Sequence, residues 1–109
     1  MESSVATIEK PSVEENQKVK KQPPYNVILW DSPKHTWAYV IVMLKFLFGY
    51  PYEKGYQMAD EVNSKGKVVV KTTTLELAEL KRDQILAFGK DDAVEGCSGS
   101  MHATIEPTY

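Results

Sequence analysis

One cysteine in 109 residues, Cys97, leaves no partner for a disulfide within the chain and is compatible with a reducing cytosol. Positive charge is not in excess: 13 Lys and Arg stand against 15 Asp and Glu, a formal net charge of −2. A nucleic-acid protein ordinarily presents a basic face, so nucleic acid is not an expected partner. The longest unbroken apolar run, Trp37 to Leu44, falls far short of the roughly 20 residues a membrane-spanning helix requires. The N-terminus shows no apolar segment of the signal-peptide kind. There is no CxxC pair, no HExxH and no phosphate-binding glycine loop, so no cofactor or metal is called for. A soluble, cytoplasmic, single-domain protein that does not engage membranes is the expectation.

The sequence is richest between Tyr25 and Tyr50. Tyr25-Asn26-Val27-Ile28-Leu29-Trp30 is dense in β-branched and aromatic residues and predicts a strand buried on both faces. Trp37 to Phe48 predicts a buried helix, apolar nearly all round. Between them, Asp31-Ser32-Pro33 puts a carboxylate, a hydroxyl and a proline beside a helix N-terminus, where free backbone donors gather. Ahead of this, residues 1–24 are polar with almost nothing large and apolar, which predicts a flexible arm ending at Pro23-Pro24 and a folded domain over residues 25–109. Downstream, Pro51 is suited to the first turn of a second helix carrying Tyr52, Tyr56, Ala59 and Val62 at helical spacing, and Gly66 to its end. Lys67 to Lys71 predicts a valine-rich strand. Thr73 and Glu76 have the form of a capping box opening a third helix to about Phe88, and a last strand is expected near Met101 to Ile105. The order β-α-α-β-α-β has too few strands for a doubly wound sheet and predicts an α+β fold.

Several constellations bear on function. Asp31, Ser32 and His35 contain the residue types of a hydrolytic triad, but all three lie in one short loop, whereas triad members converge from separate parts of a fold. Cys97 and His102 are two metal-ligand types without a third or fourth. The chain is therefore not expected to be an enzyme. A binding module fits better: Asp31 at the helix entrance and Asn63 late on the second helix suit an ammonium and a peptide group. Trp37 and Val40, about a turn apart, suit the wall of an apolar hole. On the third helix Lys81 falls within the apolar arc of Leu75, Leu77, Ala78, Ile85 and Phe88, either as a snorkelling side chain or as one that faces a partner.

At this level of detail the sequence resembles the ClpS family, the adaptors that deliver N-degron substrates to the AAA+ unfoldases ClpA or ClpC. The features that carry the resemblance are Tyr25-x-Val27-Ile28-Leu29, Tyr39-Val40-Ile41-x-x-Leu44, Val62 with Gly66-Lys67, Thr74-x-Glu76-x-Ala78-Glu79-x-Lys81, and Thr104-x-Glu106. It spans about Tyr25 to Glu106. It implies a small α+β sandwich of three helices on a three-stranded antiparallel sheet, a monomer whose pocket grips the first residue of a peptide, and an N-terminal arm that engages the unfoldase.

The resemblance places Glu76 and Lys81 on the unfoldase-docking surface. It places the grip on the ligand's α-amino group and backbone at Asp31, Ser32, Asn63 and His35, and the side-chain pocket at Trp37, Val40, Ala59 and Met101. Departures from the family pattern concentrate in that pocket. The Asn-Asp-Asp motif falls on Asp31-Ser32-Pro33, with none of its residues retained. Two pocket methionines fall on Trp37 and Ala59, the ligand-contacting His falls on Asn63, and a pocket Leu falls on Met101. Two functions follow: an adaptor for bulky hydrophobic N-terminal residues with altered pocket specificity, or a ClpS-like docking protein that binds the unfoldase and no longer recognises N-degrons.

Overall fold

The computed structural model describes residues 22–109, so the arm expected over residues 1–24 lies almost wholly outside the described residues. Six elements follow one another: β1 (Tyr25–Trp30), α1 (Trp37–Phe48), α2 (Tyr52–Lys65), β2 (Lys67–Thr73), α3 (Leu75–Leu86) and β3 (Ala103–Pro107). The strands form one antiparallel sheet in the order β2-β1-β3. This is the α+β arrangement of three helices and a three-stranded sheet that the element order predicts.

β1 is central because its middle can be buried on both faces: Val27, Ile28 and Leu29 are all nearly inaccessible. Period-two alternation sends Val27 and Leu29 into the cluster beneath the helices, with Val40, Met43, Leu44, Ala59, Val68, Val70, Ala78 and Ile85. On the other face the sheet is tied by side chains. The Trp30 indole donates to Thr104 Oγ1 (2.8 Å), and Thr72 donates to Asn26 (2.6 Å). The β1–β2 register skips Val70, since Val27 pairs with Lys71 and Ile28 with Val69. The skipped residue's carbonyl accepts instead from the Tyr50 hydroxyl, at 2.6 Å, from the α1–α2 corner.

Two glycines position the helices. Gly55 is buried on α2, where a Cβ would meet the Ile41 Cα at 3.4 Å, so its lack of a side chain sets how closely α2 approaches α1. Gly66 ends α2 at φ 89°, a conformation that costs most residues steric strain, and its carbonyl accepts from Asp31 N–H at 2.9 Å. The end of α2 is thereby fastened to the start of the β1–α1 loop.

Some local expectations are corrected. α1 is not buried all round: Val42 and Phe46 are 59% and 78% exposed. The cap of α3 is Thr74, which accepts from Leu77 N–H, so the proposed Thr73–Glu76 box is displaced by one residue and Glu76 is a first-turn acid. Pro51 is the N-cap of α2 rather than its first helical residue. β3 begins at Ala103, which leaves Met101 in the preceding loop, free to line the site described next.

Candidate ligand-binding site

Where the β1–α1 loop, the first turn of α1 and the second half of α2 meet, a cavity of about 270 Å³ opens, lined by Asp31, Ser32, Pro33, His35, Trp37, Val40, Ala59, Val62, Asn63 and Met101. Every residue expected in the ligand pocket lines this one cavity, and Pro33 and Val62 join them. Its volume lies just below the roughly 300–1,000 Å³ of sites for drug-sized ligands, which suits a single amino-acid residue. Val40, Ala59, Val62 and Met101 are buried and form the apolar interior, while Asp31 and Asn63 are exposed at the rim. Trp37, half-buried, stands edge-on to Tyr56 with ring centroids 5.2 Å apart.

The loop that carries the polar groups is held by a network. His35 Nε2 lies 2.8 Å from the Gly99 carbonyl, which can only accept, so Nε2 carries the proton. In the neutral ring Nδ1 is then the acceptor, and the Ser32 hydroxyl, 2.7 Å away, donates to it. Ser32 Oγ also accepts from Lys34 N–H at 3.1 Å, which leaves one lone pair for a ligand. Both His35 nitrogens are engaged within the protein. Through Nδ1 the ring fixes the Ser32 hydroxyl at the cavity wall. The triad geometry fails because the far nitrogen meets a backbone carbonyl and not a carboxylate. Cys97 turns inward, with Sγ 3.4 Å from His35 Nε2, while His102 is exposed.

Asp91 escapes the sequence reading. It is only 6% exposed, and its Oδ2 accepts from both the Thr36 N–H (2.7 Å) and the Thr36 hydroxyl (2.8 Å). Thr36 in turn caps α1 by accepting from Tyr39 N–H. The Thr36 N–H bond holds the Asp91 carboxyl below the usual carboxylate range against a desolvation that pushes it up, and the Ala93 N–H adds to the lowering. A Thr immediately before an apolar helical run is a legible N-cap signal. Nothing local marks the carboxylate 55 residues away that supports it.

At the far end of α1, the Lys81 ammonium donates to the Leu47 carbonyl at 2.6 Å and lies 5.3 Å from the Phe48 ring centroid. The anomalous lysine is half-buried and finishes a helix C-terminus, where free carbonyls and the helix dipole favour a cation. Glu76 is exposed in the first turn of α3. At five residues' separation the two are roughly 140° apart around α3, so they do not stand side by side.

The family described as "ATP-dependent Clp protease adaptor protein ClpS" matches residues 20–95. The chain is 30% identical over 80 residues to the ATP-dependent Clp protease adapter protein ClpS of Vibrio atlanticus, covering 72% of this chain and 76% of that one. It is 31% identical over 80 residues to its counterpart in Pectobacterium carotovorum, with the same coverage. Among solved structures, Agrobacterium tumefaciens ClpS2 bound to L-phenylalaninamide superposes with a TM-score of 0.69 at 25% identity, covering 80% of this chain and 99% of that one. The chain belongs to the ClpS family. It is an adaptor of the Clp protease and not an enzyme, and among the described residues no helix is long and apolar enough to cross a membrane.

Proposed function

We propose that this adaptor binds the first residue of a peptide or protein substrate and delivers the substrate to a ClpA- or ClpC-type unfoldase. The α-ammonium sits at the rim, where Asp31 supplies the negative charge, Ser32 Oγ its remaining lone pair and Asn63 an amide able to accept from the ammonium or donate to the ligand carbonyl. A bulky hydrophobic side chain enters between Trp37 and Val40 on α1 and Ala59 on α2, toward Met101. The observation that supports this most is the meeting of an acidic rim and an apolar interior in one cavity sized for one residue. An ammonium needs an anion and acceptors when it leaves bulk water, and an apolar side chain needs the opposite surroundings. The solved relative that carries L-phenylalaninamide, which joins an α-amino group to one bulky apolar side chain, has this chemistry in its ligand. Docking on the unfoldase is assigned to Glu76 on the exposed side of α3 together with Lys81.

Calorimetric titration with a peptide beginning in a bulky hydrophobic residue, free or N-acetylated, tests the reading. Acetylation removes the charge Asp31 is there to meet, and binding should be lost. Equal affinity for the two peptides refutes the pocket assignment. Absence of binding to either, with normal capture by the hexamer, identifies a docking protein without N-degron recognition.

A further inference from the structure

Trp37 has two sides. One lines the cavity just described, and the other lines a second, more apolar hollow of about 380 Å³ formed with Ala38, Ile41, Val42, Tyr52 and Tyr56. Tyr56 and Tyr52 continue the wall, with ring centroids 5.2 Å from Trp37 to Tyr56 and 6.1 Å from Tyr56 to Tyr52. The α2 residues Tyr52, Tyr56, Ala59 and Asn63 follow at helical spacing, so one stripe leads from the polar rim through the apolar interior to the aromatic hollow. Val42, Tyr52 and Tyr56 are 59%, 61% and 45% exposed, more apolar surface than the fold itself requires of adjacent turns.

We infer that this hollow is a second subsite for the same ligand, taking an apolar or aromatic side chain at the third residue of the bound peptide. The inference rests on the first residue occupying the neighbouring cavity. Successive side chains of an extended peptide point to opposite faces and rise about 3.3 Å per residue. With the first side chain inserted beneath the surface, the second points away and the third returns to the same surface about 7 Å along. That step crosses one side-chain partition, which is what Trp37 in edge contact with Tyr56 provides. The hollow offers aromatic faces and aliphatic methyls and no charged side chain, so a charged third residue would lose solvation without a partner there. The substrate class narrows to chains with a bulky hydrophobic residue first and an apolar one third.

The test is a calorimetric series of free-amine peptides beginning Leu-Ala, with Trp, Leu, Ser or Asp third, alongside leucinamide, which reaches only the first cavity. Trp and Leu peptides should bind about five- to tenfold more tightly than Ser, the scale of covering part of one apolar side chain. Tyr52→Ala should reduce that ratio to within about twofold while leaving leucinamide affinity unchanged, since Tyr52 does not line the first cavity. Val42→Ser should act in the same sense and checks the opposite wall. A flat ranking at the third position with normal leucinamide binding overturns the subsite alone. A matched series with the same residues varied at the second position and Ala at the third should rank flat, and a preference there in place of the third overturns the subsite too. Failure of leucinamide to bind removes the first-residue reading and the subsite with it.

Discussion

The two ends of α1 are finished by different means, and the contrast separates what shapes the site from what only holds the fold. At the N-terminal end Thr36 caps the helix and is itself gripped by Asp91, from a loop 55 residues away. At the C-terminal end Lys81 reaches the Leu47 carbonyl from α3. Both are charged groups placed on the favourable pole of the helix dipole. Only the first shares a loop with the candidate pocket: the segment through Asp91, Cys97 and Gly99 also supports His35, which orients Ser32. The helix cap and the candidate pocket lean on one loop at one end of α1, while the other end is finished apart from the pocket.

The sharpest way to break that contrast is Asp91→Ala. It leaves the Thr36 N–H without its acceptor in a largely covered site and should lower unfolding free energy by about 2–3 kcal/mol, with a fall in peptide affinity. Urea unfolding and calorimetry on one preparation measure both, and undiminished peptide binding would divorce the cap from the pocket. Asp31→Ala is the complement: if the proposed α-ammonium contact holds, affinity should fall by about 1–2 kcal/mol, with stability unchanged because the residue is exposed. Lys81→Met keeps the stem and removes the charge, and should cost about 1 kcal/mol of stability while peptide affinity stays constant. Weakened capture by a ClpA- or ClpC-type hexamer would show that the same lysine also serves docking.

Acid supplies a fourth measurement. Because the folded-state pKa of Asp91 is depressed, its stabilisation is complete above the ordinary aspartate value of about 4 and is lost as pH falls through the lower folded value. Asp91→Asn should therefore show a shallower loss of stability between neutral pH and about pH 3 than the parent chain. The smallest effect expected is on ranking: Ala59→Met should disfavour the largest first residues relative to small aliphatic ones by about 1 kcal/mol, and Trp37→Met should act in the opposite sense. A ranking among Leu, Phe and Trp peptides untouched by either change would move the pocket elsewhere.

Sequence patterning reached the elements that local composition controls. The run Val27-Ile28-Leu29, the glycine after α2 and the apolar helix after Trp37 were all legible, because strand burial and left-handed helix ends leave marks within a few residues. The residues that the family resemblance assigns to the pocket, from Asp31 through Met101, line one cavity. Asp91 remained hidden, since a hydrogen bond from a loop to a helix N-cap has no periodicity. The exposure of Val42 and Phe46 was likewise invisible: a helix apolar on every side looks the same whether the fold covers all of it or leaves a face open. Lys81 stood out as anomalous, but its acceptor is a backbone carbonyl, which no sequence spells.

The skipped residue in β2 has a consequence for chain length. Removing one residue from a paired strand ordinarily turns every later side chain to the wrong face. Here the pairing already passes over Val70, so a chain shortened at that position would zip into an uninterrupted ladder with Lys71 and Val69 opposite their present partners. The sheet would become more regular. Yet the phenol of Tyr50, kept protonated by burial well into alkaline solution, would lose the carbonyl it holds, and the corner joining α1 to α2 would come unpinned from the sheet. The irregularity is an anchor point, and a tidier strand would make a looser molecule.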